Sequence, residues 1–208
     1  MLGLPILVFC GSTLLASALG IPSRRDFTTA RLLSTLGVEM VLAAVFVPLL
    51  AARGWTFARL TPPLEPRDAV VGIGLLTLSY AAYLAAWFAT GIVVGPASLA
   101  PIAQTHFTAT APAAVRVAVS LVNPIFEESL FVGYIVVALT GRRTAFVATL
   151  SVSLRVAVHL YQGALALVTI APLGLVFVLY YARKRRLWPI IAAHAMQDLL
   201  SLLALGAT

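Results

Sequence analysis

The sequence is poor in the residues that make a water-soluble surface. Only 10% of its 208 residues are charged, whereas 61% are hydrophobic and the mean hydropathy is +1.02. A soluble domain keeps about a quarter of its residues charged, so this composition excludes an ordinary water-facing globule. Because each membrane-spanning helix needs about 20 mostly apolar residues, the length of the chain is better counted in spans.

Cysteine and acidic residues are also scarce. Cys10 is the only cysteine, which excludes a disulfide within the chain and a metal site built on cysteines. Seven Asp and Glu stand against fourteen Lys and Arg, so the net charge is +7. The basic residues are clustered between apolar runs, which is typical of membrane-protein loops. We therefore expect no nucleic-acid partner.

Long apolar runs dominate what remains and predict an all-α fold, a polytopic transmembrane helical bundle of about seven spans. The alternation of apolar and polar residues that marks transmembrane strands is missing. We expect the first run to be retained as a span, because no basic segment precedes it. The runs cover about 4–19, 32–51, 69–94, 114–139, 145–161, 164–182 and 188–205.

The distribution of basic residues predicts the orientation of these spans. The loops after spans two, four and six hold nine of them, and the opposite loops hold three. The larger group is Arg53, Arg59, Arg67, Arg142, Arg143, Arg183, Lys184, Arg185 and Arg186; the smaller is Arg24, Arg25 and Arg31. Because cytoplasmic loops carry the excess, we expect a multi-pass protein of the cell membrane with a cytoplasmic N-terminus and a C-terminus outside.

Ionisable residues are concentrated in the last four apolar runs. They are Glu127, Glu128, Arg155, His159, His194 and Asp198. A charge at the centre of a bilayer costs about 2.5–3.5 kcal/mol on insertion scales, so such residues face the bundle interior and mark a functional site by default. The first three runs hold only Glu39 in a mid-segment position, and we expect it to line a lateral cavity or pair with an arginine.

The spacing of these residues favours a shared site. His194 and Asp198 are four residues apart and share one face of a helix. Glu127 and Glu128 are adjacent, so one can face a cavity while the other pairs with a different helix. Just before them, Pro124 removes a backbone donor, which favours an irregular helix that admits water. A carboxylate and an imidazole in such a cavity can together take a proton from water.

Three segments of the sequence resemble the CPBP intramembrane proteases, the group that contains the CAAX prenyl endopeptidases and bacterial Abi-type proteins. They are NPIFEESLFVGY, SLRVAVHLYQG and WPIIAAHAMQD, in this order on successive spans. The resemblance covers about residues 114–206, and the composition, rich in alanine and arginine with one lysine, indicates a bacterial member. It divides the chain into N-terminal transmembrane helices, 1–113, and a CPBP/Abi-like catalytic core of four transmembrane helices, 114–208.

The resemblance also implies roles for individual residues. Glu127 matches the glutamate that activates water together with a histidine, here His159, for attack on a peptide carbonyl. His194 and Asp198 match the pair that holds the developing oxyanion, and Glu128 matches a supporting glutamate. Asp198 stands where the family more often has Asn, so we expect it to orient His194 or to be protonated.

The resemblance implies no obligate metal and no other cofactor. Two histidines and two glutamates are nevertheless adequate zinc ligands. The alternative is therefore a divalent metal such as Zn, held by Glu127, Glu128, His159 and His194.

Two positions depart from the family pattern. Val132 stands where an arginine usually follows the glutamate pair, and Arg155 stands where an aromatic residue usually precedes the first histidine. We hypothesise that Arg155 supplies, from the neighbouring span, the guanidinium that Val132 lacks, and that its task is to pair with Glu128.

The leading functional prediction is a CAAX-type intramembrane endopeptidase. Its partners are the lipid bilayer and a membrane-associated peptide or protein, either lipidated or membrane-inserted, which it cleaves near the cytoplasmic face. The first alternative is a non-catalytic immunity or scaffold protein that binds a partner through the same polar residues. The second is a small transporter or proton relay, which inverted repeats would favour; the sequence shows none.

Overall fold

The computed structural model describes residues 26–95, 97, 99, 107–160 and 165–205. Within these ranges the chain is helical apart from its connections and one isolated bridge between Asp26 and Thr108, which confirms the all-α prediction. The helices are α1 (Thr29–Ala51), α2 (Phe57–Leu60), α3 (Pro66–Val94), α4 (Ala113–Glu127), α5 (Ile135–Ala138), α6 (Thr144–Val158), α7 (Leu165–Lys184) and α8 (Trp188–Leu205).

Five of the predicted spans correspond to helices that are long and apolar enough to cross a membrane. Among the described residues these are α1, α3, the continuous segment from α4 to α5, α7 and α8. The predicted span at 145–161 is α6, an apolar helix of only 15 residues, which is shorter than the usual 20. The predicted first span, 4–19, lies outside the described residues.

A π-helical segment, Glu128–Tyr134, connects α4 to α5. Pro124 lies inside α4, one turn before this segment, where it withholds a backbone donor. A π-helical turn adds a residue to the helix and rotates the side chains that follow, and it is frequent at functional sites. The segment therefore sets the direction in which Glu128 and Val132 point.

A buried hydrophobic core lies where the π-helical segment, α6, α7 and α8 meet. Its fully buried members include Phe131, Val132, Tyr181, Leu187 and Ile190. Helix α8 packs against α3 and α4, and α7 packs against α3 and α6. Packing of this density fixes the relative positions of the helices that carry the ionisable residues.

One polar network anchors the start of α3 to the loop between α7 and α8. Arg186 lies 2.7 Å from Asp68 Oδ2 and 2.9 Å from Glu65 Oε1. Its hydrogen bond with Asp68 raises the pKa of Arg186 above its ordinary value, so the guanidinium remains charged. Leu187 N–H also donates to Thr61 Oγ1 at 3.0 Å. Arg186 is thus a structural ion-pair partner in addition to a member of the basic cluster.

Candidate active site

A cavity of about 980 Å³ lies between α1, α3, α4, α6, α7 and α8. Five of the six ionisable residues singled out from the sequence line it, and they come from different helices. They are Glu127, Arg155, His159, His194 and Asp198. The fold therefore brings together side chains that are far apart in the sequence.

The adjacent glutamates occupy different surroundings. Glu127 is the last residue of α4 and lines the cavity. Glu128 is the first residue of the π-helical segment and has 0% of its surface exposed. Only Glu127 is therefore placed to meet a substrate or a water molecule in the cavity.

Glu128 is bound at both carboxylate oxygens. Arg155 Nη2 donates to Oε2 at 2.6 Å, and His194 Nδ1 lies 2.6 Å from Oε1. A buried carboxylate needs such partners, because burying an unpaired charge is very costly. Glu128 thereby connects α6 and α8 through a single side chain.

Arg155 is held in place by charge, aromatic rings and close packing. Besides its contact with Glu128, its Nη1 lies 3.8 Å from Glu127 Oε2. Its guanidinium carbon lies 5.9 Å from the ring centres of both Phe131 and Phe177, within the range of cation–π attraction. Gly174 on α7 makes room for the side chain, since a Cβ there would lie 3.0 Å from Arg155 Cδ.

The position that the family usually gives to arginine is filled differently here. Val132 is fully buried in the hydrophobic core. The contact between Arg155 and Glu128 is the one that the substitution hypothesis requires. Whether the two positions exchange roles energetically remains a prediction.

His194 has an acceptor facing each ring nitrogen. Nδ1 faces Glu128 at 2.6 Å, and Nε2 lies 3.5 Å from Asp198 Oδ1. Because both ring nitrogens of an imidazolium are donors, this surrounding accommodates a protonated ring. The longer contact at Nε2 is looser than a normal hydrogen bond, so this nitrogen is the one that can turn towards a ligand.

Asn123 is a residue that the sequence reasoning missed. It lines the cavity, and its Nδ2 donates to Asp198 Oδ2 at 3.5 Å. The signal was present, because Asn123 precedes Glu127 by four residues and shares its helix face. The site therefore includes an amide donor from α4 beside the His194–Asp198 pair.

His159 lies directly after the last residue of α6 and lines the same cavity. Its Nδ1 lies 2.8 Å from the carbonyl oxygen of Arg155. A carbonyl oxygen only accepts, so Nδ1 carries the hydrogen and Nε2 is the acceptor nitrogen of the neutral ring. This tautomer is the one needed to accept a hydrogen bond from water.

The four side chains that the sequence suggested as metal ligands, those of Glu127, Glu128, His159 and His194, are not arranged as a metal site. In the parts of the chain that the structure describes, no three His, Cys, Asp or Glu side chains are grouped so that they could hold a metal ion. Glu128, one of the four, already has each oxygen within 2.6 Å of a nitrogen.

Glu39 is a second residue whose connection to the site the sequence did not reveal. It lies on α1 and is only 2% exposed. It does not line the cavity described here, and no arginine pairs with it among the described residues. It does lie within electrostatic range of Glu127, Asp198 and His194.

Apolar helices of spanning length around a cavity lined by ionisable side chains indicate an integral membrane protein. Residues 108–200 match the family described as type II CAAX prenyl endopeptidase Rce1-like. This match confirms the resemblance to the CPBP group. No curated protein and no solved structure matches the chain.

The match supports an intramembrane CAAX-type protease in general, which is a hydrolase. The matched segment contains all six ionisable residues singled out from the sequence. Helices α1 to α3, and Glu39 with them, lie outside it.

Proposed function

We propose that the protein is an intramembrane endopeptidase that hydrolyses a peptide bond of a membrane-associated protein or peptide. The observation that carries this proposal is the common cavity, which collects Glu127, His159, His194 and Asp198 from three parts of the chain. A carboxylate, an imidazole and buried donors around one cavity are the groups needed for attack of water on a carbonyl.

In the proposed reaction Glu127 is the base. It takes a proton from water while the water oxygen bonds to the carbonyl carbon, and the electron pair of the C=O bond moves to the oxygen. His159 Nε2 orients the water by accepting its other hydrogen. The tetrahedral intermediate then breaks its C–N bond, and the leaving nitrogen takes the proton that Glu127 holds. The products are a carboxylic acid, which keeps the other hydrogen of the water, and an amine.

His194 stabilises the oxyanion through the N–H at Nε2. Asp198 orients that ring, at 3.5 Å from Nε2, and Asn123 adds an amide donor close by. The buried Glu128–Arg155 pair fixes the other side of the ring through the 2.6 Å contact at Nδ1. Removing one oxyanion donor from a hydrolase typically slows the reaction about 10²–10³-fold.

We propose that this chemistry needs no obligate metal. Cleavage is then expected to persist when the purified protein is treated with a strong zinc chelator. Loss of cleavage on chelation, with recovery on adding Zn²⁺, would instead require a metal site that uses residues outside the arrangement described above.

The substrate that we propose is a membrane-associated, lipidated peptide. Apolar and aromatic side chains line the cavity beside its ionisable groups, among them Phe27, Tyr80, Tyr83, Phe107 and Phe177. Such walls suit a peptide that carries an apolar group. We also propose the cell membrane as the location, with the N-terminus cytoplasmic, which reporter fusions to the loops after α1 and α7 would test.

The central experiment is a cleavage assay in lipid nanodiscs with a library of membrane peptides, lipidated and unmodified. We expect Glu127→Gln and His159→Ala to lower the cleavage rate by about 10²-fold or more. Asp26→Asn, an exposed acid-to-amide change in a loop, is the control and should cleave like the wild type.

Equal cleavage by the wild type and the two site variants would refute the proposal. No cleavage by any of them, combined with retained binding of a membrane partner, would favour the immunity or scaffold alternative.

A further inference from the structure

The cavity is displaced towards one end of the helix bundle. It is lined by the beginning of α1, the beginning and middle of α7, and the middle and end of α8. Because these parts surround one cavity, α1 and α7 begin, and α8 ends, at the same end of the bundle, which we call the open end. The opposite end, where α1 and α7 end and where α3 and α8 begin, is the closed end.

The exposed part of the cavity wall lies at the open end, within the part of the chain that the structure describes. Most of the exposed lining residues belong to the beginning of α1 or the end of α8. They are Thr28, Ala30, Ser34, Ser201 and Ala204. The proposed catalytic groups lie deeper, since Glu127 is 6% exposed and His194 is 7% exposed. A peptide that enters at the open end can therefore reach them.

Apolar side chains fill the closed end. The fully buried Phe131, Tyr181 and Ile190 come from the π-helical segment, the end of α7 and the start of α8. Beside them Arg186 joins the loop between α7 and α8 to Asp68 at the start of α3, at 2.7 Å. A packed interior leaves few voids larger than a water molecule. The described residues therefore offer water and peptides no path to the site from this end.

The two ends also differ in charge. The loops at the closed end hold the nine basic residues named above, from Arg53 to Arg186. At the open end, Arg31 lies in the first turn of α1, and Arg116 in the first turn of α4 donates to the carbonyl oxygen of Leu202 near the end of α8. Cytoplasmic loops carry the excess of arginine and lysine, which assigns the closed end to the cytoplasm.

We propose that the cavity opens on the non-cytoplasmic face of the membrane, and that the substrate is a membrane-anchored peptide whose scissile bond lies on that side. The position of the cavity and the charge of the loops are independent observations, and they place the opening opposite the basic loops. The sequence alone led to the cytoplasmic face, because it does not reveal at which end of the bundle the cavity opens.

This proposal deepens the proposed function and rests on it for the substrate. A polypeptide that has been exported, and that a span or a lipid group still holds in the membrane, can present its backbone to the open end. A peptide anchored at the cytoplasmic face meets the packed core instead. The face on which the cavity opens, however, does not depend on catalysis and can be measured separately.

Cysteine labelling in spheroplasts measures that face. Three variants each replace a hydroxyl by a thiol in a Cys10→Ser background: Ser34→Cys and Ser201→Cys at the open end, and Thr140→Cys in the exposed loop at the closed end. We expect a membrane-impermeant maleimide to label the first two in intact spheroplasts. Thr140→Cys, the matched control, should be labelled only after the membrane is permeabilised.

The reverse labelling pattern would overturn the inference, because the open end would then face the cytoplasm. Labelling of all three thiols in intact spheroplasts would overturn it as well, since the two ends would not lie on opposite sides of the membrane. None of the three substitutions changes the number of basic residues, so the charge that orients the chain is kept.

A pair of reporters tests the substrate. A peptide that the protein cleaves in nanodiscs is placed in a single-span reporter, outside the membrane in one version and in the cytoplasm in the other, at the same distance from the span. We expect cleavage of the outer version only. Co-expression of Glu127→Gln in place of the wild type should lower that cleavage by about 10²-fold or more.

The outcomes separate this inference from the proposed function. Cleavage of the cytoplasmic version, alone or as fast as the outer one, would overturn the inference and leave the proposed function standing. If no peptide is cleaved in nanodiscs, the proposed function fails, and the labelling pattern still decides on which face the cavity opens.

Discussion

The two long N-terminal helices differ sharply from the helices that build the site. Helices α1 and α3 expose large apolar side chains along most of their length, including Met40, Val41, Val70, Ile92 and Val93. The segment from α4 to α8 instead encloses a hydrophobic core and most of the charged residues of the site. Exposed apolar side chains of this kind suit contact with lipid, which solvates them without a protein partner.

This difference indicates which part of the chain tolerates amino-acid substitutions. On a lipid-facing helix, one apolar residue replaces another with little change in contacts. Around Glu128, each neighbouring side chain must instead keep both its charge and its distance from the carboxylate. Glu39 is the exception in the first region, because it is buried on a helix that is otherwise mostly exposed.

The largest effect is expected from breaking the buried ion pair. Arg155→Met leaves Glu128 with only His194 as a partner, and removing one member of a buried pair destabilises by about 3–5 kcal/mol. Thermal unfolding in detergent measures this change. Arg142→Met, an exposed arginine at the end of the α5 segment, is the matched control and should unfold like the wild type. A similar melting temperature for both variants would contradict the pairing.

An intermediate effect is expected from moving the guanidinium group from position 155 to position 132. Arg155→Phe alone should lose most of the ion-pair stabilisation, and adding Val132→Arg should recover about 1–3 kcal/mol of it. The physical reason is that residue 132 occupies the family's usual arginine position beside the same glutamate. Unfolding and cleavage are measured for the single and double variants. A double variant no more stable or active than Arg155→Phe alone would disprove the exchange.

The smallest effect is expected from replacing one glycine by alanine in each of the two regions. Gly174→Ala places a Cβ 3.0 Å from Arg155 Cδ, and crowding of this kind destabilises by about 1–3 kcal/mol. Gly74→Ala on α3 meets no atom within 4 Å, so it should be neutral or slightly stabilising, by up to about 1 kcal/mol. If the two variants had equal melting temperatures, the predicted difference between a packed helix and a lipid-facing helix would be wrong.

Much of the fold could be predicted from the apolar runs alone, because the thickness of the bilayer sets the length of a helix that spans it. The family could be predicted as well, from three ordered motifs that the matched segment includes. The π-helical segment could not, since ESLFVGY contains no residue type that distinguishes a π turn from an α turn. The roles of Glu127 and His159, the domain division and the orientation remain predictions.

The sequence reasoning missed Asn123 and the surroundings of Glu39, for different reasons. Asn123 was within reach, since it is one turn from Glu127 on α4. Glu39 was not, because its electrostatic neighbours lie on α4 and α8 and only the folded chain brings them near. An ionisable residue that stands alone in the sequence can therefore lie near other ionisable residues in the folded bundle.

The shortness of α6 has a consequence for where cleavage takes place. Fifteen helical residues rise about 22 Å, whereas the hydrocarbon layer is about 30 Å thick. A helix that starts at one boundary of this layer therefore stops several ångströms below the other, and His159 follows at that depth. In the proposed reaction, the scissile bond then reaches His159 below the headgroups, together with the water that attacks it.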